Sequence, residues 1–180
     1  PGSYEVHVTA AGYQSLVTSV VVDERDSQTV ELSLQALPGL LSIDSEPPGA
    51  SVTVDGRSVG KTPLRDLPLE EGEHRLLLEE ARHLPLEQSL QVTGRNVRQL
   101  LQLQLAPAWA QVTVDSLPTG ARILVDGEAA GQTPATLEAL QGEHQLTLQL
   151  PSYADWQQTL TIKAGVNQDL GRVSLQSAPG

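Results

Sequence analysis

Cysteine, phenylalanine and methionine are absent from the chain, and the only large aromatics are two tryptophans and three tyrosines. Without cysteine there is no disulfide frame, no thiolate metal site and no cysteine nucleophile. With aromatics at 3%, the 39% apolar fraction is carried by Leu, Val, Ile and Ala, so any core is aliphatic and thin. Basic residues are scarce as well: 11 Lys and Arg stand against 22 Asp and Glu, a net charge of −11. Such a field repels nucleic acid and anionic lipid, and neither is an expected partner. No run approaches the roughly 18 apolar residues of a membrane span, so no membrane insertion is expected here. The chain opens at "PGSYEVHV", already inside a strand-like alternation and without a basic-then-apolar leader. We therefore expect a fragment whose targeting segment and anchor lie outside it.

What the chain does contain is repetition. "PPGASVTVDGRSVGKTP" from Pro47 and "PTGARILVDGEAAGQTP" from Pro118 align over their whole length at an offset of 71. Downstream, "GEHRLLL" from Gly72 and "GEHQLTL" from Gly142 align at an offset of 70, and "GSYEVHV" from Gly2 continues the series backwards. Tyr13, His83 and Tyr153 keep the same spacing. The expected organisation is the second half of one repeat over 1–38, a complete repeat over 39–107 and another over 108–180. The joints "QALPGLLSI" and "QLAPAWAQV" are short and contain proline, which favours a semi-rigid string. Trp109, in the second joint, is expected to pack between repeats, and Trp156 to replace the Leu of the other copies.

Repetition also arbitrates secondary structure. "EHRLLLEEARHLPLEQSL" passes for an amphipathic helix on propensity, but its partner "EHQLTLQLPSYADWQQTL" alternates Thr and Gln with Leu and contains a proline. Two copies of one fold share one structure, so both are strands. Apolar residues recur with period two at Ala50, Val52 and Val54 against Ala121, Ile123 and Val125, and at Leu76 and Leu78 against Leu146 and Leu148. The pattern continues at Leu90 and Val92 against Leu160 and Ile162, and at Leu103 and Leu105 against Val173 and Leu175. The half repeat carries it at Val6, Val8, Val20, Val22, Leu32 and Leu34. This alternation marks strands buried on one face. The expected fold is all-β: tandem small antiparallel β-sandwiches, immunoglobulin-like or prealbumin-like, of six or seven short strands each.

The stretch "VDGRSVGKTP" imitates a phosphate-binding loop. That loop requires Gly-x4-Gly-Lys-Thr between a strand and a helix N-terminus, where amides and dipole hold the phosphates. Here the spacing is Gly-x3-Gly, Pro63 follows Thr62 directly, no helical pattern comes next, and the copy has Gln132 in place of Lys61. A turn accounts for every residue instead. Asp55 and Gly56 suit the type I′ corner of a tight hairpin, which needs positive φ at both positions. Gly60 is expected to supply another unusual backbone angle, and Pro63 to preset the chain after it.

Other candidates reduce similarly. His74 and His144 are repeat equivalents, one per unit, so they cannot converge on one metal; each is expected to make a structural hydrogen bond at a strand start. His83 and Glu87 stand four apart, but outside a helix that spacing makes no ligand pair. Asp23, Glu24 and Asp26 of "VDERDS" lack the glycine and terminal glutamate of a calcium loop, and are expected to form a solvated hairpin tip. Glu70 and Glu71, like Glu79 and Glu80, are adjacent, and adjacent strand side chains point to opposite faces. No nucleophile elbow, zinc-protease helix motif or repeated Ser, His and Asp set is present. No catalytic residue, cofactor or metal is expected.

The ordered set Pro-x-Gly-Ala, strand, Val-Asp-Gly, Gly-x-Thr-Pro and Gly-x-His resembles the PEGA domain. The first complete repeat carries it as Pro47, Gly49, Ala50, Asp55, Gly56, Gly60, Thr62, Pro63, Gly72 and His74. The second carries it as Pro118, Gly120, Ala121, Asp126, Gly127, Gly131, Thr133, Pro134, Gly142 and His144. Pro48 and Thr119 replace the signature glutamate, and His83 replaces an expected aromatic. The resemblance implies a small β-sandwich module of prokaryotic extracytoplasmic or cell-surface proteins, often in tandem, with no established catalytic residues. The expected function is a noncatalytic spacer and protein-interaction surface, its partners being other domains of the parent chain or envelope proteins. Two alternatives stand beside it: a module binding cell-wall or surface polysaccharide, and the sensory or positioning arm of an enzyme or kinase whose catalytic domain lies outside the fragment.

Overall fold

The computed structural model describes residues 1–24 and 27–179. The chain divides into two compact units, one holding Pro1–Glu80 with Pro85–Leu105, the other holding Ala81–Leu84 and the chain from Ala106 onward. The first unit opens with a hairpin of β1 (Gly2–Val8) and β2 (Leu16–Val22), followed by β3 (Gly39–Glu46), β4 (Ser51–Val54), β5 (Arg57–Lys61), β6 (Leu64–Leu69), β7 (Gly72–Glu79), β8 (Leu86–Val92) and β9 (Arg98–Gln104). The second unit repeats the last seven as β10 (Trp109–Leu117), β11 (Arg122–Val125), β12 (Glu128–Gln132), β13 (Ala135–Leu140), β14 (Gly142–Gln149), β15 (Trp156–Ile162) and β16 (Gln168–Ser174). The structure is all-β, and the stretch around "EHRLLLEE" is strand in both copies.

Within each unit a three-stranded sheet faces a four-stranded one. In the first unit the orders are β6-β3-β9 and β5-β4-β7-β8; in the second they are β13-β10-β16 and β12-β11-β14-β15. One pairing departs from the antiparallel expectation: β3 runs parallel to β9, as β10 does to β16. Parallel neighbours need a crossover between them. Here the crossover is the whole four-stranded sheet together with the edge strand β6 or β13, traversed between the first and last strands of the repeat. Alternation of apolar residues reports which face is buried and carries no information on strand direction, so the sequence pattern could not have revealed it.

The period-two residues meet between the sheets. Leu41 and Ile43 of β3 face Val52 and Val54 of β4 and Leu76 and Leu78 of β7, with Ala50 and Leu105 closing the cluster. Leu76 and Leu78 are 1% and 0% exposed, as deep as any side chain in the protein. Val112, Val114, Ile123, Leu146, Leu148, Leu160 and Ile162 do the same in the second unit, where Trp156 packs against the cluster's margin. The hairpin β1–β2 has the right pattern but no facing three-stranded sheet among the described residues. Val22 remains 38% exposed, whereas its equivalent Val92 is 1% exposed. Leu32 and Leu34 form no strand, contrary to expectation, because the counterpart of β9 pairs only with a counterpart of β3. Of "VDERDS", Asp23 and Glu24 follow β2 and are exposed, while the expected tip at Arg25 and Asp26 lies outside the described residues.

The corner between β4 and β5 has φ of +49° at Asp55 and +79° at Gly56, and that between β11 and β12 has +51° at Asp126 and +85° at Gly127. Both central residues of a type I′ turn take such angles. Three residues on, the ladder slips: Val52 faces Gly60 while Thr53 faces Ser58, so Val59 is an extra residue in β5. Gly60 sits at this bulge with φ +135°, and a Cβ there would come within 3.0 Å of Leu64 Cδ2. The bulge recurs at Ala130 and Gly131. Gly56→Val, which places a β-branched residue in the left-handed region, is expected to lower unfolding free energy by more than ~1 kcal/mol. A urea titration with an unmoved midpoint would contradict the turn's role.

Candidate functional site

The residues that the two repeats share gather into two clusters in each unit. The first lies where the chain crosses between sheets. Thr62, between β5 and β6, is 4% exposed, and its Oγ1 accepts the N–H groups of Gly49 at 3.1 Å and Ala50 at 3.0 Å, which lie between β3 and β4. Ser45 Oγ donates to the Pro47 carbonyl at 2.6 Å, so the contact of 2.5 Å between Ser45 and Thr62 has Thr62 as donor. Backbone bonds from Thr62 N to Ala50 O and from Gly49 N to Thr62 O complete the knot. Ser116, Pro118, Ala121 and Thr133 reproduce its other bonds at the same distances, while Gly120 N donates to the Thr133 carbonyl at 3.0 Å. Pro47, Pro63, Pro118 and Pro134 all follow cis peptide bonds at these crossings.

The second cluster hangs on the Asp-Gly corner. Asp55 Oδ1 accepts the Arg75 N–H at 2.8 Å, and Asp55 Oδ2 lies 2.6 Å from His74 Nδ1. His74 Nε2 reaches the Glu70 carbonyl at 2.9 Å. Asp126, Gln145, His144 and the Leu140 carbonyl stand in the same relation, at 2.8, 2.6 and 2.8 Å. Each aspartate thus ties a hairpin tip to the start of the neighbouring strand. The Arg75 amide and then the His74 ring hold the Asp55 carboxyl below its ordinary range; for Asp126 the His144 ring is the larger influence and the Gln145 amide the smaller. The carboxylate partner, followed by the backbone carbonyl, raises both imidazoles, against the opposing effect of their burial.

This arrangement positions backbone and offers little chemistry. A shallow groove beside the first pair is lined by Asp55, Glu73, His74, Arg75, Glu87 and Ser89. Ser89 faces Arg75 across the ladder, not His74, and the ring's second nitrogen is committed to a carbonyl. The Asp–His pair therefore has no free base for a nucleophile. Lys61 is exposed at the end of β5, and Thr62, the other half of the imitated phosphate loop, points inward to backbone amides. His83 contacts its own loop, through Nδ1 and the Ala81 carbonyl at 2.9 Å. Among the described residues no three metal-ligating side chains gather.

Ser45 and Ser116 were not singled out by sequence reasoning, although they stand 71 apart like the motif they serve. The repeated Tyr13, His83 and Tyr153 have a role too: each forms a bridge to the segment at the end of its repeat, at Ala36, Pro107 and Ser177. Bonds from Leu37 N to Gly12 O, Ala108 N to Arg82 O and Ala178 N to Ser152 O accompany them. In the first unit Arg95 also lies over the Tyr13 ring, 5.7 Å from its centre.

Tandem all-β repeats, each tied at its crossings by a Ser–Thr pair and at its hairpin by an Asp–His pair, define a class of small sandwich module. The PEGA domain family matches residues 39–108 and again 109–175, and the chain belongs to that family. No curated protein matches it. Among solved structures it is similar to the Bacillus anthracis TIE protein, with a TM-score of 0.54 at 15% identity over 98% of this chain. The chain spans 42% of that protein's length, and at this identity the likeness concerns the fold.

Thr62→Val keeps the shape but removes the acceptor for the Ala50 amide and the donor to Ser45. It is expected to cost about 1–3 kcal/mol, the range for a buried group left unpaired. Thr133→Val should do the same in the second unit. Calorimetry showing either variant as stable as wild type would exclude the knot as a structural element.

Proposed function

We propose that the chain is a noncatalytic tandem module, a spacer and protein-interaction surface in a prokaryotic extracytoplasmic protein, whose partners are neighbouring domains or envelope proteins. One observation carries this reading. The repeats keep the side chains that face the core, the crossings and the hairpin corner, and let the solvent faces diverge: Arg57, Lys61, Arg75 and Glu87 become Glu128, Gln132, Gln145 and Gln157. A reacting or ligand-binding site shared by both units would need exposed polar groups in common. Apart from Glu73 and Gln88, kept as Glu143 and Gln158, the polar side chains they share beside the hairpin are the Asp–His pair, which is spent on hydrogen bonds within the unit. The location outside the cytoplasm follows what membership of the family implies.

Polysaccharide recognition finds less support. Aromatic platforms stack on sugar rings, and Tyr4, 55% exposed, is the one aromatic the structure leaves in the open; both tryptophans and the other tyrosines are half-buried. We expect no turnover on a hydrolase panel and no signal above a control sandwich domain in peptidoglycan pull-down or on a glycan array. Turnover that survives repurification would refute the noncatalytic reading, and saturable glycan binding would favour the polysaccharide module instead.

A further inference from the structure

Both ring nitrogens of His74 and of His144 face acceptors that cannot donate: an ionised carboxylate on Nδ1 and a backbone carbonyl on Nε2. A neutral imidazole has one N–H and can serve only one of the two; the imidazolium serves both. The rings have little room to turn away, being 15% and 20% exposed, and His144 lies over Val125, Leu137, Leu160 and Ile162. The surrounding charge favours the cation. Asp55 meets His74 from the hairpin, with Arg57 near that carboxylate, and Glu70 acts from the β6–β7 corner; Glu73 and Arg75 of β7 and Glu87 of β8, which holds Arg75 at 2.7 Å, line the same groove, and Glu71 is turned toward Arg95. Asp126 is the charged group that faces His144, and the next corner and β15 bring the Leu140 carbonyl, Leu160 and Ile162; Glu128 stands in the sequence place of Arg57, and Glu143 precedes the ring on β14.

We propose that each Asp–His pair is a protonation latch, closed when the imidazole is cationic and opened at one of its two contacts when the ring loses a proton. An open latch gives up either the ring's contact with the hairpin carboxylate, leaving the tip on its bonds to Arg75 or Gln145, or the ring's contact with the corner carbonyl before the next strand. The hairpin carries β5 or β12, the edge strand of its sheet, so the latch sets how firmly that edge is held. The imidazoles are raised above their ordinary value of 6.5, so their stabilisation is complete below 6.5 and lost as pH rises through the folded value. The aspartates are lowered beneath 3.8, so theirs is present above 3.8 and lost as pH falls through the folded value. Each repeat is thus firmest in mildly acidic to near-neutral surroundings and loses one of the two ring contacts in alkaline ones.

The test uses the whole 180-residue chain. Imidazole resonances are followed by NMR from about pH 5 to about 9, a range that brackets ordinary histidine titration. Melting temperature is measured over the same range for wild type, for His74→Gln with His144→Gln, and for Asp55→Asn with Asp126→Asn. The latch rings are expected to titrate above 6.5 in wild type and to fall toward it in the Asn variant. The wild-type advantage over the Gln variant should be greatest at the acidic end and shrink as pH rises. An advantage that is constant with pH, or latch rings titrating at or below 6.5, overturns the proposal. If a variant does not fold, the wild-type ring titration decides alone.

Discussion

In each repeat one buried hydroxyl joins two of the places where the chain passes from one sheet to the other. Thr62 lies on the passage from β5 to β6, and the amides it accepts, Gly49 and Ala50, lie on the passage from β3 to β4. A repeat of about 70 residues with an aliphatic core buries only about 60% of its unfolded surface, so apolar contact alone leaves it marginal. Crossing segments also carry backbone amides that no ladder satisfies, and a buried amide without a partner is costly. The Thr–Ser pair meets both needs together. It supplies acceptors where the ladders stop and clamps the edges of two sheets to each other, after which Leu41, Ile43, Val52 and Leu78 have a fixed gap to fill.

The Asp-Gly corner answers the same problem at the other end of β4. Its backbone angles demand glycine at the second position, while the aspartate's free carboxylate reaches sideways to the next strand and its histidine. A turn residue thereby becomes a strand-to-strand tie. The sequence that imitates a phosphate loop is the span between these two ties. Its glycine serves a bulge, its threonine serves the crossing, and its lysine is solvated.

Much of this was legible because the chain carries its own comparison. Duplication separated Lys61, which the copy drops, from Thr62, which it keeps, and it turned an ambiguous Leu- and Glu-rich segment into strand. The corner at Asp55 and Gly56 could be read from turn chemistry alone. The parallel pairing of β3 with β9 could not, since apolar period reports a face and not a direction. Ser45 was passed over although Ser116 repeats it, because a serine two residues before a proline looks like loop until the fold brings Thr62 to it across 17 residues. The histidines were assigned a hydrogen bond, but the second acceptor on each ring, a backbone carbonyl, has no signature in side-chain identity. The half repeat misled for a related reason: Leu32 and Leu34 have the pattern of a strand, but a strand forms only where a neighbour exists to pair with it.

The central claim is that side chain to backbone ties at the crossings and corners hold these repeats together. Amide hydrogen exchange on the intact chain tests it directly, since exchange reports local opening residue by residue. The amides of Ala50, Ala121, Arg75 and Gln145, bound by threonine hydroxyls or aspartate carboxylates, are expected to exchange as slowly as ladder amides of the buried strands β7 and β14. If they exchange at the rate of exposed loop amides while those strands stay protected, the ties are incidental and the apolar core holds the fold without them.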